Sequence, residues 1–168
     1  MPYILGETKE EINAETLEEN KSAAIEMIRQ ARYSIDIFTQ DLDKEIYNNE
    51  EIETSIFKLS KRHPNTRIRI LVQDSKKAAQ YGHCLIRLAQ SLTSSVFIHK
   101  PSLEYKDEQC AFMVVDKVGL MHRITAENRN YNTSIDFMAP RRASKLSDFF
   151  TEVWEHSTRD VQTRRLYI

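Results

Sequence analysis

The chain has 168 residues, with 24 basic and 25 acidic side chains, a net charge of −1 and a mean hydropathy of −0.55. That length suits one domain able to bury its own core. Its three glycines, Gly6, Gly82 and Gly119, are too scattered for a glycine-rich phosphate loop, and no apolar run reaches the length of a membrane span.

Leu17, Ala24, Ile28 and Ala31 share one helical stripe, which predicts a helix over about 16–32. Tyr33 to Phe38 alternates and is rich in β-formers, so it reads as a strand. Ile52, Ile56 and Leu59 mark a second helix, ending before Pro64 because the residue preceding a proline avoids helical angles. Ile68 to Val72 is a near-continuous apolar run, as in a strand covered on both faces. Tyr81, Leu85, Leu88, Ala89 and Leu92 predict a third helix over about 76–92. Strands follow at 95–98, 111–115, 119–124 and 134–138, with Gly119 read as the turn between the second and third of these. Leu146, Phe149, Phe150, Val153 and Trp154 form the strongest apolar stripe, on a last helix of about 141–157 behind Pro140, with Phe149, Phe150 and Trp154 expected in the core. Helical crossovers between the early strands imply parallel pairing, hence an α/β fold with a mixed sheet between helices. No repeat or linker divides the chain, so one domain is expected over 1–168, with its core at about 16–157 and a tail at 158–168.

The near-neutral total hides an asymmetry. Residues 1–60 carry 14 acidic and 6 basic side chains, and residues 61–168 carry 11 and 18. A basic face for nucleic acid would need Arg141, Arg142, Lys145, Arg159, Arg164 and Arg165 on one side; the plainer reading is a dipolar surface. Met1 to Asn20 is acidic and lacks the apolar stretch of a secretory signal, and Cys84 and Cys110 form no CxxC pair. Both features predict a cytoplasmic chain with reduced thiols and no membrane partner.

In open α/β sheets ligands gather beyond the carboxyl ends of the parallel strands. Here those ends run into Asp41 and Asp43, then Asp74 and Ser75, then His99 and Lys100. His83 and Arg87 lie one helical turn apart on the flank opposite Leu85 and Leu92, where both would face the same rim. Asp41, Asp43, Asp74, Ser75, His83 and Arg87 are therefore the candidate ligand-binding residues. Each also has a structural reading: the aspartates and Ser75 as turn and helix-cap residues, His83 and Arg87 as a solvated or locally bonded pair. Cys84 reads as a small buried hydrophobe. No zinc-binding spacing and no GxSxG elbow occurs, so no cofactor is expected.

From residue 109 onward the chain resembles the phospholipase D superfamily, whose motif is HxKxxxxD on a strand, followed by a turn glycine, a second strand and an aromatic-rich last helix. Gln109-Cys110-Ala111-Phe112-Met113-Val114-Val115-Asp116 has the spacing of that motif, and Gly119, Phe149 and Trp154 match the features after it. The resemblance implies a phospholipase D-like fold over about 20–160. It also implies lost chemistry. Gln109 stands where the family's histidine attacks phosphorus, and Ala111 where its lysine stabilises phosphate oxygens; only Asp116 remains. His122-Arg123-Ile124-Thr125 replaces the family's GSxN segment. Gln73-Asp74-Ser75, Gly82 to Leu85, Phe112 to Asp116 and Phe150 to Ser157 further resemble uncharacterised bacterial domains of this fold, some appended to acetyltransferases. That likeness implies a bacterial setting and supplies no established activity.

The leading expectation is a non-catalytic binding or regulatory domain, its partner a protein, a second copy of the chain or a phosphate-bearing ligand. One alternative is an enzyme with a relocated site of Asp41, Asp43, Asp74 and His83, holding Mg²⁺. The other is a nucleic-acid binder using the basic second half. In the first two readings the working site is expected at the strand-end rim and not at Gln109–Asp116.

Overall fold

The structure, a computed structural model, describes residues 2–126 and 130–164. Its elements run β1 (Ile12–Ala14), α1 (Leu17–Arg29), β2 (Ser34–Thr39), α2 (Lys44–Tyr47), α3 (Glu50–Arg62), β3 (Arg67–Val72), α4 (Lys76–Tyr81), α5 (Cys84–Ser91) and β4 (Val96–Lys100). After a 3₁₀ turn at Leu103–Tyr105 come β5 (Ala111–Val115), β6 (Gly119–Arg123), β7 (Thr133–Asp136), α6 (Pro140–Glu155) and β8 (Thr158–Arg159).

The eight strands form one sheet in the order β1-β7-β6-β5-β2-β3-β4-β8. β2, β3 and β4 are parallel, and every other pairing is antiparallel. The larger core, with Met27, Ile52, Ile56, Ile70, Leu85 and Met113, lies between the sheet and α1, α3 and α5. The smaller one packs Phe38, Leu71, Phe112 and Val114 against Phe150 and Val153 of α6. Local signals account for the helix starts. Thr16 and Glu19 form a reciprocal capping box on α1, and Asn49 caps α3 through Ile52 N–H at 2.9 Å. Among the described residues no helix is long and apolar enough to cross a membrane.

Three expectations need correction. The helix predicted over 76–92 is two helices, α4 and α5. Gly82 takes φ +85°, and His83 is extended and caps α5 with its side chain, so the apolar stripe continues across a break that only backbone angles reveal. The turn before β6 is made by Asp116 and Lys117, at φ 54° and 57°, and not by Gly119. A Cβ at Gly119 would sit 2.5 Å from Leu5 Cδ1, so the end of that leucine side chain would have to shift. In α6, Phe150 is fully buried, whereas Phe149 and Trp154 are half-buried. β1, α2 and β8, of two to four residues each, carry no periodicity long enough to detect.

Candidate functional site

β2 ends in a buried threonine that organises the next loop. Thr39 Oγ1 accepts from Leu42 N–H and donates to Asp43 Oδ2, both at 3.0 Å. Leu42 and Asp43 are consecutive left-handed non-glycine residues, at φ 74° and 36°. The Leu42 side chain is fully buried, and this burial holds the loop in that conformation. Asp41 Oδ1 accepts from Asp43 N–H at 3.0 Å.

The Asp43 carboxylate meets Arg123 at the end of β6. Arg123 Nη2 donates to both carboxylate oxygens, at 3.1 and 3.0 Å, and Nη1 donates to the Asn130 carbonyl at 3.3 Å. The Arg123 side chain is only 6% exposed, and its guanidinium lies over the Tyr131 ring, 5.6 Å from the centroid. Tyr131 in turn donates its hydroxyl to Glu45 at 3.0 Å. These groups border a cleft of about 480 Å³, also lined by Asp41, Lys44, Lys77, Tyr81 and His83.

His83 closes the cleft's inner wall and has no free nitrogen. Its Nδ1 accepts from Leu85 N–H at 3.1 Å, which leaves Nε2–H to donate to the Leu42 carbonyl at 2.9 Å. Burial, against the pull of that carbonyl, pushes His83 down to about 4, so the ring is neutral near pH 7. Burial likewise raises the thiols of Cys84 and Cys110 to about 11. They stay protonated, and a protonated thiol is a poor nucleophile.

Asp41, Asp43 and His83 thus line one cleft; Asp74, Ser75 and Arg87 do not. Asp74 is exposed and accepts from Lys76 N–H at 3.1 Å. Ser75 donates to Asp160 Oδ2 at 2.7 Å, beside the C-terminal segment. Arg87 pairs with Glu53 of α3 at 3.3 Å, on another surface. Among the described residues no group of three or more His, Cys, Asp or Glu side chains is placed to hold a metal ion.

The sequence reading treats the rim and the Gln109–Asp116 stretch as separate places, and the topology joins them. β5 runs antiparallel to β2 with Phe38 opposite Phe112, so Gln109 and Ala111 lie at the carboxyl end of β2. Gln40 Nε2 ties the two together, donating to the carbonyls of Glu108 at 3.0 Å and Cys110 at 2.7 Å. Ala111 pairs across the sheet with Arg123, so the two side chains leave the same face of the sheet. Asp116 lies at the far end of β5. There its carboxylate accepts from Arg32, Tyr33 and Ser34 N–H at 2.7–3.0 Å and anchors the start of β2. Sequence reasoning missed Arg123, Tyr131, Lys44 and Lys77. No local pattern marks Tyr131, Lys44 and Lys77; Arg123 is seen only as part of the segment that replaces GSxN, and the chain separation of Asp43 and Arg123 hides the pair.

Residues 16–166 match the model of a family described as a domain of unknown function, DUF7931. No curated protein matches the chain. Among solved structures, the archaeal chromatin protein TrmBL2, whose structure is described as showing a novel mode of DNA binding, superposes with a TM-score of 0.66 at 16% identity. That match covers 91% of this chain and 54% of TrmBL2, so the chain spans about half of that protein's length. Nuc from Salmonella typhimurium, a phospholipase D family member, gives a TM-score of 0.62 at 13% identity over 91% of this chain and 99% of Nuc. NucT from Helicobacter pylori gives 0.58 at 12% identity, covering 90% and 100%. The fold is phospholipase D-like.

Proposed function

The chain belongs to the DUF7931 family, and from its phospholipase D-like fold and the cleft at Asp43, His83 and Arg123 we propose that it is one non-catalytic binding domain. The observation that carries this reading is the state of His83. The imidazole nearest the rim spends both nitrogens on backbone groups and is held neutral, so it has no lone pair for phosphorus and no proton to deliver. The other candidate nucleophiles support the same reading. Gln109 is an amide, Ala111 a methyl group, both thiols are protonated, and Ser75 hydrogen-bonds Asp160 outside the cleft.

The DNA-binding description of TrmBL2 favours a second reading, a nucleic-acid-binding domain. The distribution of charge ranks it lower. Arg141 and Lys145 lie near the start of α6, while Asp148, Glu152 and Glu155 occupy its exposed face further on. Arg159 and Arg164 sit at the opposite sheet edge, a helix length of roughly 20 Å away, and Arg165 lies outside the described residues. A second copy of the chain remains a proposed partner.

Incubation with bis(p-nitrophenyl) phosphate, with and without Mg²⁺, tests the first reading. We expect no release of nitrophenol above buffer. Turnover that disappears in His83→Asn would overturn it. A DNA affinity that falls steeply with salt would favour the second.

A further inference from the structure

We propose that the Arg123 guanidinium is a phosphate-binding group whose resting occupant is the chain's own Asp43 carboxylate. The inference deepens the binding reading above and rests on it. Its test reads affinity and not turnover, so the two can fail separately.

The Arg123 side chain is only 6% exposed, and a buried cation needs an anion beside it. Asp43 supplies that anion at a conformational cost. Two successive left-handed non-glycine residues each cost on the order of 1 kcal/mol. Leu42 is held by its own burial, so the part at Asp43 is what the loop would shed if another anion took the place of the carboxylate.

The match is also incomplete. Among the described residues Asp43 engages Arg123 through Nη2 alone. The Asp36–Arg69 pair on the other face shows the full fork, with Nε to Oδ1 at 2.9 Å and Nη2 to Oδ2 at 3.1 Å. An oxyanion entering from the cleft can address the fork side-on, which a carboxylate held by the Thr39 hydroxyl does not do.

Charge selects the class of ligand. With Asp43 in place, three acidic and three basic side chains line the cleft, and with its carboxylate displaced the balance is one positive. Lys44 and Lys77 then stand with Arg123 around a space of about 480 Å³, enough for a phosphomonoester. The acidic groups that remain are Asp41 and Glu45. Each already accepts a hydrogen bond, from Asp43 N–H and the Tyr131 hydroxyl. A dianion uses all three cations, so phosphate is favoured over a single carboxylate.

Inorganic phosphate and acetate, titrated calorimetrically at constant ionic strength into the parent, Asp43→Asn and Asp43→Gly, test this. Asparagine tolerates the left-handed angle and keeps an acceptor for Thr39; glycine removes both carboxylate and strain. Both variants should bind phosphate at least about tenfold more tightly than the parent and more tightly than they bind acetate. The gain should vanish in Asp43→Asn combined with Arg123→Gln. Folded variants that gain nothing, a gain that survives the loss of Arg123, or acetate binding as well as phosphate would each overturn the proposal. If neither variant folds, the Arg123 Nε–Hε resonance of the parent decides. It should move by about 100 mM phosphate, where even a millimolar site is filled, and a resonance that stays in place overturns the proposal.

Discussion

Each face of the sheet holds a buried Arg–Asp pair, and the two pairs are built for different ends. Asp36 and Arg69 face each other on neighbouring parallel strands, in regular backbone, with the guanidinium 5.0 Å from the Phe150 centroid and 5.6 Å from that of Trp154. Ser147 and Thr151 of α6 add hydrogen bonds at 3.3 and 3.2 Å, so helix and sheet share the charges. Asp43 and Arg123 come from a strained loop and a strand end, and open on a cleft. The same two residue types thus clamp a helix in one place and border a ligand-sized space in the other. The difference lies in backbone and packing and not in side-chain chemistry.

Removing one partner of the sealed pair gives the largest expected effect. Asp36→Ala strands Arg69 beneath α6 and should cost about 3–5 kcal/mol in urea unfolding. A loss under about 1 kcal/mol would mean that Arg69 escapes to water and that the pair is not a clamp.

Acid should next separate the faces. His83 titrates near 4 in the fold and near 6.5 when unfolded, so below pH 6.5 the unfolded chain takes up a proton that the fold refuses. Its contribution is whole above about pH 6.5, declines by up to about 1.4 kcal/mol per pH unit, and is gone below about 4. Burial lowers His99 and His122 in the same sense. His83→Asn keeps a capping side chain and cannot be protonated, so its stability should fall less steeply over that window. Parallel curves for parent and variant would show that His83 is not buried as described.

Asp43→Gly should be milder than Asp36→Ala, at about 1–2 kcal/mol, because loss of the pair is offset by relief of the left-handed angle. Equal losses in the two variants would erase the contrast between the pairs. The smallest effect belongs to Asp74→Ala. Its carboxylate accepts a single exposed N–H, so about 0.5 kcal/mol and an unchanged phosphate affinity are expected. A change in that affinity would bring Asp74 back into the site.

What the sequence determines alone is whatever repeats at short range. Apolar runs marked β2, β3 and β5, stripes marked α1, α3 and α6, and the spacing from Gln109 to Asp116 carried the family resemblance, because propensity and burial act on neighbouring residues. It also placed Asp41, Asp43 and His83 at one rim, since the ends of parallel strands follow from connectivity. The break at Gly82–His83 was decided by backbone angles that leave the helical stripe intact. The partner of Asp43 was decided by strand register. Only the antiparallel docking of β5 on β2 and β6 on β5 brings Arg123, 80 residues away, beside the Thr39 loop. Register is a property of the assembled sheet, fixed by which faces must be buried together, and no local pattern of residues records it.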